Sequence, residues 1–239
     1  MGATYEQAGV SLVTAEAVVE RLRAAVESTG ADPIVFLDYV AANRIELEQV
    51  AELVEGAAEV CRAAGCALVG GETAELPGIY RDQELDFAGT CVGIVDRDAL
   101  VDGSQVREGD HVVGLASAGV HANGFTLVRR VLEGEDYDGP DLLAPTRLYL
   151  YAVRRLRGRA HAFAHVTGGG IAGNLARVVP AGLRARVDWD AWERPPVFGW
   201  LARHITEDEL RRVFNLGIGF CAVVADPDDE LVIGRIEAA

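Results

Sequence analysis

The sequence predicts a mixed α/β fold, of α/β or α+β type, arranged in two lobes. Three observations carry this prediction. Short apolar runs with strand character are interleaved with amphipathic helical runs, yet the two kinds do not alternate strictly. Turn signals cluster at Asp102-Gly103 and Glu108-Gly109-Asp110, which sets a boundary between residues 1–106 and 107–239. The 239 residues are half hydrophobic and a quarter charged, enough for a sizeable core in one large domain or two modest ones.

In chain order, residues 14–26 read as an amphipathic helix, with Thr14 as N-cap and Val18, Leu22 and Val26 on one face. Pro33 forces an extended entry, and Ile34–Leu37 reads as a buried strand ending at Asp38-Tyr39. Residues 46–64 carry apolar side chains at i, i+3 and i+4, and Gly65 suits the position just past a helix end. Cys66–Val69 is a short strand entering the stretch LVGGETAELPGIY, whose Gly-Gly and Pro-Gly pairs read as turn punctuation. Leu85–Val95 resumes as a strand that Gly89 and Gly93 should break.

Beyond the boundary, His111–Ala116 is a strand, Ser117–Gly124 a loop and Phe125–Leu132 a helix. A second helix is expected over 146–156, after Pro145. Phe163–Val166 is a strand, and Thr167-Gly-Gly-Gly170 runs into a helix over 171–179 closed by Pro180. Thr206-Glu-Asp-Glu209 is a capping box that opens another helix. Asn215–Val224 and Leu231–Ile236 close the chain as strands.

The charge balance excludes some functions. Thirty-seven acidic against 22 basic residues give −15, so long-range repulsion disfavours nucleic-acid binding. No run approaches a membrane span, and no secretory signal is visible. Cys61, Cys66, Cys91 and Cys221 lack zinc spacing and sit in apolar runs, so buried free thiols and a reducing cytoplasm are expected. Trp189, Trp192 and Trp200 read as packing residues.

Three segments could carry chemistry. Gly70-Gly71 lets backbone approach a ligand, and the adjoining Glu72, Thr73 and Glu75 could hold Mg²⁺ with phosphate oxygens, or merely face solvent at a turn. Thr167-Gly168-Gly169-Gly170, between a strand and a helix, offers free N–H groups to an anion, or is a tight turn. His121-Ala-Asn123-Gly124 stands in the same context, and its histidine could donate to a phosphate or act as acid or base. His165 is a second candidate of that kind, and Arg147 could pair with a phosphate.

Taken together, FLDYVAANRIE, CALVGGETAELPGIY, DGSQVREGD, HANGFTLVR, LLAPTRLY, AHVTGGGIAGNLARVVP and FNLGIGF resemble the phosphoribosylformylglycinamidine cyclo-ligase (aminoimidazole ribonucleotide synthetase) family, in that family's order over nearly the whole chain. The GGETAE, HANG and TGGG versions of these loops set it apart from selenophosphate synthetase and thiamine-monophosphate kinase.

The resemblance implies an ATP-dependent ring closure in purine biosynthesis, with ATP and Mg²⁺ as cofactors and a phosphorylated ribonucleotide as substrate. It implies a homodimer whose N-terminal sheets join across the two-fold, with a C-terminal α/β lobe. Residue by residue, Gly70, Gly71, Glu72 and Thr73 would face ATP, with Glu72 and Asp38 at the metal. Glu72, Asp38 and His121 would be catalytic. Ser117, His121, Asn123 and Thr167, Gly168, Gly169 and Gly170 would face the substrate.

The pattern departs from the family at three places. After Gly30 the sequence lacks a block that in the family carries a glycine-rich nucleotide loop with a lysine and further carboxylates. Loss of that block would leave Ile34–Leu37 short of sheet partners. Shorter gaps fall between Leu132 and Leu142 and near Asp229–Leu231, where the family has a helix. Two alternatives therefore stand beside the cyclo-ligase: a sibling kinase or synthetase, and a truncated paralogue that binds metabolites without turnover.

Overall fold

The computed structural model describes residues 31–139 and 141–239. The helix expected over 14–26 lies outside the described residues. The chain has two compact units, which part between Leu100 and Val101.

The first unit is built on a three-stranded sheet of order β2-β1-β3, from β1 (Asp32–Ala42), β2 (Ala67–Glu75) and β3 (Leu85–Ile94). Helix α1 (Leu47–Ala64) links β1 to the parallel β2, as a parallel pair requires a crossover. The helix ends as its sequence dictates. Gly65 takes the left-handed conformation at φ 71°, its N–H bonds the Arg62 carbonyl, and the Cys66 N–H bonds the Cys61 carbonyl at 2.9 Å. β1 is the central strand, paired with β2 on one side and antiparallel to β3 on the other. The expected shortage of partners for Ile34–Leu37 does not arise, because the strand extends through Ala42 and both neighbours run beside it.

Two further corrections follow. Gly70–Glu75 is not a turn but the second half of β2, in register with Leu37–Ala42. β3 continues through Gly89 and Gly93. A glycine in a strand here marks close approach rather than a break: a Cβ at Gly89 would strike the Phe36 ring.

The second unit holds a five-stranded sheet of order β5-β7-β4-β8-β6, from β4 (His111–Ala116), β5 (Ala160–His165), β6 (Leu183–Val187), β7 (Ile218–Val224) and β8 (Val232–Ala238). Every neighbouring pair is antiparallel. Alternation along β7 sorts its residues onto two faces. Cys221 and Val223 pack with Ile171 and Leu175 of α4 (Gly170–Leu175), while Phe220, Ala222 and Val224 pack with Val153 and Leu156 of α3 (Leu150–Leu156). A third cluster joins α2 (Phe125–Leu132), α5 (Pro196–Leu201) and α6 (Glu207–Val213) around Leu127, Phe198, Leu210 and Phe214.

Local signals hold where the sequence states them. Thr206 caps α6, its hydroxyl accepting the Glu209 N–H. The expected helices at 146–156 and 171–179 are shorter, starting at Leu150 and ending at Leu175. Strand β6 and helix α5 were not anticipated. The three tryptophans pack as expected: Trp200 is buried, and the Trp192 indole donates to the Leu216 carbonyl at 2.8 Å. The cysteines are free, but only Cys61 and Cys221 are buried, while Cys91 is exposed on β3. The link from β7 to β8 is a short turn, tied down by ion pairs from Arg155 to Glu230 and from Arg159 to Asp228.

Candidate functional site

The loop between β4 and α2 is held from within. The Ser117 N–H donates to the Gly217 carbonyl at 2.8 Å. Gly124, at φ 81°, closes the loop where a Cβ would strike the Phe214 ring, so no other residue fits there. His121 adopts φ 61°, a left-handed conformation that costs a non-glycine residue about 1–2 kcal/mol.

The His121 ring is buried, and its Nε2 accepts the Ala118 N–H at 3.0 Å. An accepting Nε2 places the proton of the neutral ring on Nδ1. That Nδ1 is buried and has no hydrogen-bond partner among the described residues. A buried unsatisfied donor costs about 1–3 kcal/mol, so the site retains a capacity that none of the described residues uses. Burial holds the His121 pKa below its ordinary value, aided by the neighbouring His165 and Arg147 charges.

The glycine loop between β5 and α4 is organised by Asn174. Its buried amide donates to the Gly170 carbonyl at 2.7 Å and the Thr167 carbonyl at 3.3 Å. Its oxygen accepts from the Arg177 guanidinium at 2.8 Å and from the Thr167 hydroxyl at 3.3 Å. Gly169 and Gly170 sit at φ 103° and 65°. A Cβ at Gly170 would strike the Arg211 carbonyl of α6, whereas Gly168 opens onto free space.

Topology brings these two loops together. β4 and β5 flank β7, and Ala116 pairs with Ile218 while His165 pairs with Phe220. Both loops therefore leave the same end of the sheet. Between them Tyr149 stacks on Phe220 at 5.3 Å, with the His121 and His165 rings each 6.2 Å from it. The Tyr149 hydroxyl donates to the Ala116 carbonyl at 2.9 Å, and burial pushes its pKa up to about 12. A Cβ at Gly219 would meet both His121 and Tyr149, so this glycine is the floor that lets the two rings close in. Asn123 is half-buried and Arg147 exposed.

In the first unit, Asp38 pairs with Gly71, and Tyr39 with Glu72. Successive strand residues face opposite ways, so Asp38 shares a face with Gly71 and Thr73, and Glu72 projects from the other. A Cβ at Gly71 would strike the Asp38 carboxylate, in keeping with that assignment. Asp38 and Glu72 thus do not form a joint metal site within the unit. Among the described residues, no group of three or more His, Cys, Asp or Glu side chains is placed to hold a metal ion. Glu75 has a structural partner: its carboxylate accepts the Ile45 N–H at 2.9 Å and ties β2 to the start of α1.

Sequence reasoning missed Asn174, Tyr149, Gly219 and Asn215. Asn174 ends the TGGGIAGN run and could have been found as a loop-bridging amide. Asn215 read only as the start of a strand.

The chain is 48% identical over 215 residues to the phosphoribosylformylglycinamidine cyclo-ligase of Nitrosococcus oceani, covering 84% of this chain and 60% of that protein. It is 47% identical over 225 residues to the enzyme of that name from a Synechococcus species, covering 87% and 65%. The chain thus spans less than two thirds of the length of these curated relatives. Among solved structures, thiamine monophosphate kinase from Aquifex aeolicus superposes with a TM-score of 0.64 at 20% identity, covering 90% of this chain and 74% of that one. Escherichia coli HypE superposes at 0.67 with 18% identity, covering 90% and 70%. At such identities the likeness is one of fold. The N-terminal domain of the AIR synthase related protein family matches residues 3–95 and its C-terminal domain residues 107–239, more than half of the chain. With both domains in order, and relatives of nearly half-identical sequence, the chain belongs to the AIR synthase related protein family.

Proposed function

We propose that the protein closes the imidazole ring of aminoimidazole ribonucleotide from formylglycinamidine ribonucleotide at the expense of ATP. The formyl oxygen attacks the γ-phosphorus and ADP leaves. A ring-forming nitrogen then attacks the activated carbon, and phosphate departs with the former formyl oxygen. Little covalent work falls to side chains in such a reaction, and positioning with charge stabilisation supplies the rate.

The observation that carries this proposal is the meeting of the 117–124 and 167–170 loops at one end of a sheet, with an unsatisfied His121 donor between them. Ser117, His121, Asn123, Thr167 and the backbone of Gly168–Gly170 would hold the phosphorylated substrate. The names of the curated relatives support the choice of reaction.

ATP would approach the Gly70-Gly71-Glu72-Thr73 half of β2. Solved structures of this fold include a HypE in complex with ATP and a thiamine monophosphate kinase complexed with AMPPCP and TMP. Mg²⁺ takes one or two carboxylates plus phosphate oxygens. Since Asp38 and Glu72 diverge, either would serve as a single carboxylate ligand, with the nucleotide supplying most of the shell. When bound, the ion would neutralise charge on the transferring phosphoryl group.

A homodimer through the first unit fits its exposed apolar surface, where Leu37, Tyr39 and Val92 are each 36–46% accessible. Residence in the cytoplasm fits the four free cysteines. Among the described residues, no helix is long and apolar enough to cross a membrane.

The test supplies ATP, Mg²⁺ and formylglycinamidine ribonucleotide, and measures aminoimidazole ribonucleotide with ADP. The expected result is product in equal amount to ADP, with Glu72→Ala depressing turnover far more than Tm. Substrate binding by calorimetry without ATP binding or product would instead establish a metabolite-binding paralogue. A true deletion of the lysine-bearing block that the family carries after Gly30 would favour that second reading. ADP release only with thiamine monophosphate or selenide would identify a sibling enzyme.

A further inference from the structure

We infer that Asn215 is the positioning residue of the site, presetting His121 as a neutral donor through Nδ1 by fixing the loop that carries it. Asn215 lies outside every motif to which a ligand role is given above. It is 4% exposed, between the end of α6 and the start of β7. Its amide nitrogen donates to the Gly119 carbonyl at 2.9 Å and the Val120 carbonyl at 3.0 Å. Its oxygen accepts the Gly217 N–H at 2.9 Å and lies 2.9 Å from the Ser117 hydroxyl, whose one proton is shared with the Gly119 carbonyl at 3.0 Å. Two carbonyls on one side and a backbone N–H on the other leave a single orientation of the amide. All four of its bonding positions are engaged, one of them through that shared proton.

Three of these bonds reach residues 117–120, immediately before His121. They hold the chain against the left-handed turn at His121 and keep the Ala118 N–H aimed at Nε2. With Nε2 engaged, the proton stays on Nδ1, whose missing acceptor would be a ligand oxygen. His121 then acts as a hydrogen-bond donor and not as a base, since its one lone pair is already committed. The identity of that ligand rests on the reaction proposed above, whereas the positioning role does not.

The experiment is long-range ¹H–¹⁵N correlation of the imidazole nitrogens in the full chain, with His121 assigned by its loss in His121→Gln. The wild type should show His121 protonated at Nδ1. Asn215→Ala should shift it to an averaged or Nε2-protonated pattern. Ser117→Ala, which removes one of the four bonds, should shift it part of the way and serves if Asn215→Ala does not fold. Ile236→Ala, a buried β8 substitution in another cluster, should leave the His121 pattern native although it also lowers stability. In the turnover assay Asn215→Ala should lower kcat/KM about 100-fold. A native His121 pattern in both Asn215→Ala and Ser117→Ala would overturn the proposal, as would the same shift in Ile236→Ala. If the wild type makes no product, the reaction is wrong, and the tautomer comparison still decides the role of Asn215.

Discussion

At the scale of single residues, the chain holds two positions where geometry overrides ordinary preference. Gly71 faces Asp38 across the parallel β1–β2 ladder, and a Cβ there would lie 2.6 Å from the Asp38 carbonyl oxygen as well as striking its carboxylate. The carboxylate can rotate, but the carbonyl is part of the ladder and cannot. Gly71→Ala should therefore destabilise the first unit by about 1–3 kcal/mol, read as a lower urea midpoint. An unchanged midpoint would mean that the strands separate at no cost. His121 is the second position. Its folded pKa lies below the unfolded value because burial disfavours the cation. On acidification the unfolded chain takes up the proton first, so this contribution is complete above about pH 6.5 and is lost as pH falls towards the folded pKa. The fall in Tm between pH 7 and pH 5 should be smaller in His121→Gln than in the wild type. Parallel Tm curves would contradict the depressed pKa.

At the scale of elements, local codes read cleanly where the chain is its own partner. β4 and α2 have the bounds that the pattern of His111–Ala116 and Phe125–Leu132 predicts. The Gly65 and Thr206 caps act as their residue types require. Helix α1 also carries Gly56 in an exposed turn, where a Cβ would meet nothing within 4 Å. Gly56→Ala should raise stability by about 0.5–1 kcal/mol, chiefly by removing freedom from the unfolded chain. A lower Tm would show that the site is more crowded than its geometry allows. Legibility failed where an element depends on distant neighbours. Gly70–Glu75 has the composition of a turn and becomes a strand because β1 lies alongside. β6 alternates arginine with the apolar Leu183, Ala185 and Val187 and is a strand because β8 pairs with it. Helix α3 starts at Leu150 rather than at Thr146, with Tyr149 at the N-cap position making no side-chain cap bond and its hydroxyl bonded instead to the distant Ala116 carbonyl.

At the scale of the whole molecule, all 22 basic residues are arginines, and no lysine occurs among the 239 residues. Any cationic side-chain contact to phosphate that this chain makes is therefore a guanidinium, planar and always charged, or a protonated histidine. Arg177, whose guanidinium donates to the Asn174 oxygen at 2.8 Å, stands beside the glycine loop. Amine-acylating reagents, with no ε-amino group to modify, should leave turnover intact, while phenylglyoxal should abolish it. Loss of activity on acylation would point to a role for an amine that the side chains do not provide.

By itself the sequence determined the caps, the periodic helices, the two-lobed mixed fold and, through its ordered motifs, the family. These depend on contacts between residues close along the chain, or on motif identity, which needs no geometry. Only the tertiary structure decided that GGETAE is strand, that Asp38 and Glu72 face apart, and that Asn215 underlies the His121 loop. Each of these joins residues tens of positions distant, through strand register or a buried amide, and register is set by packing that no local pattern states.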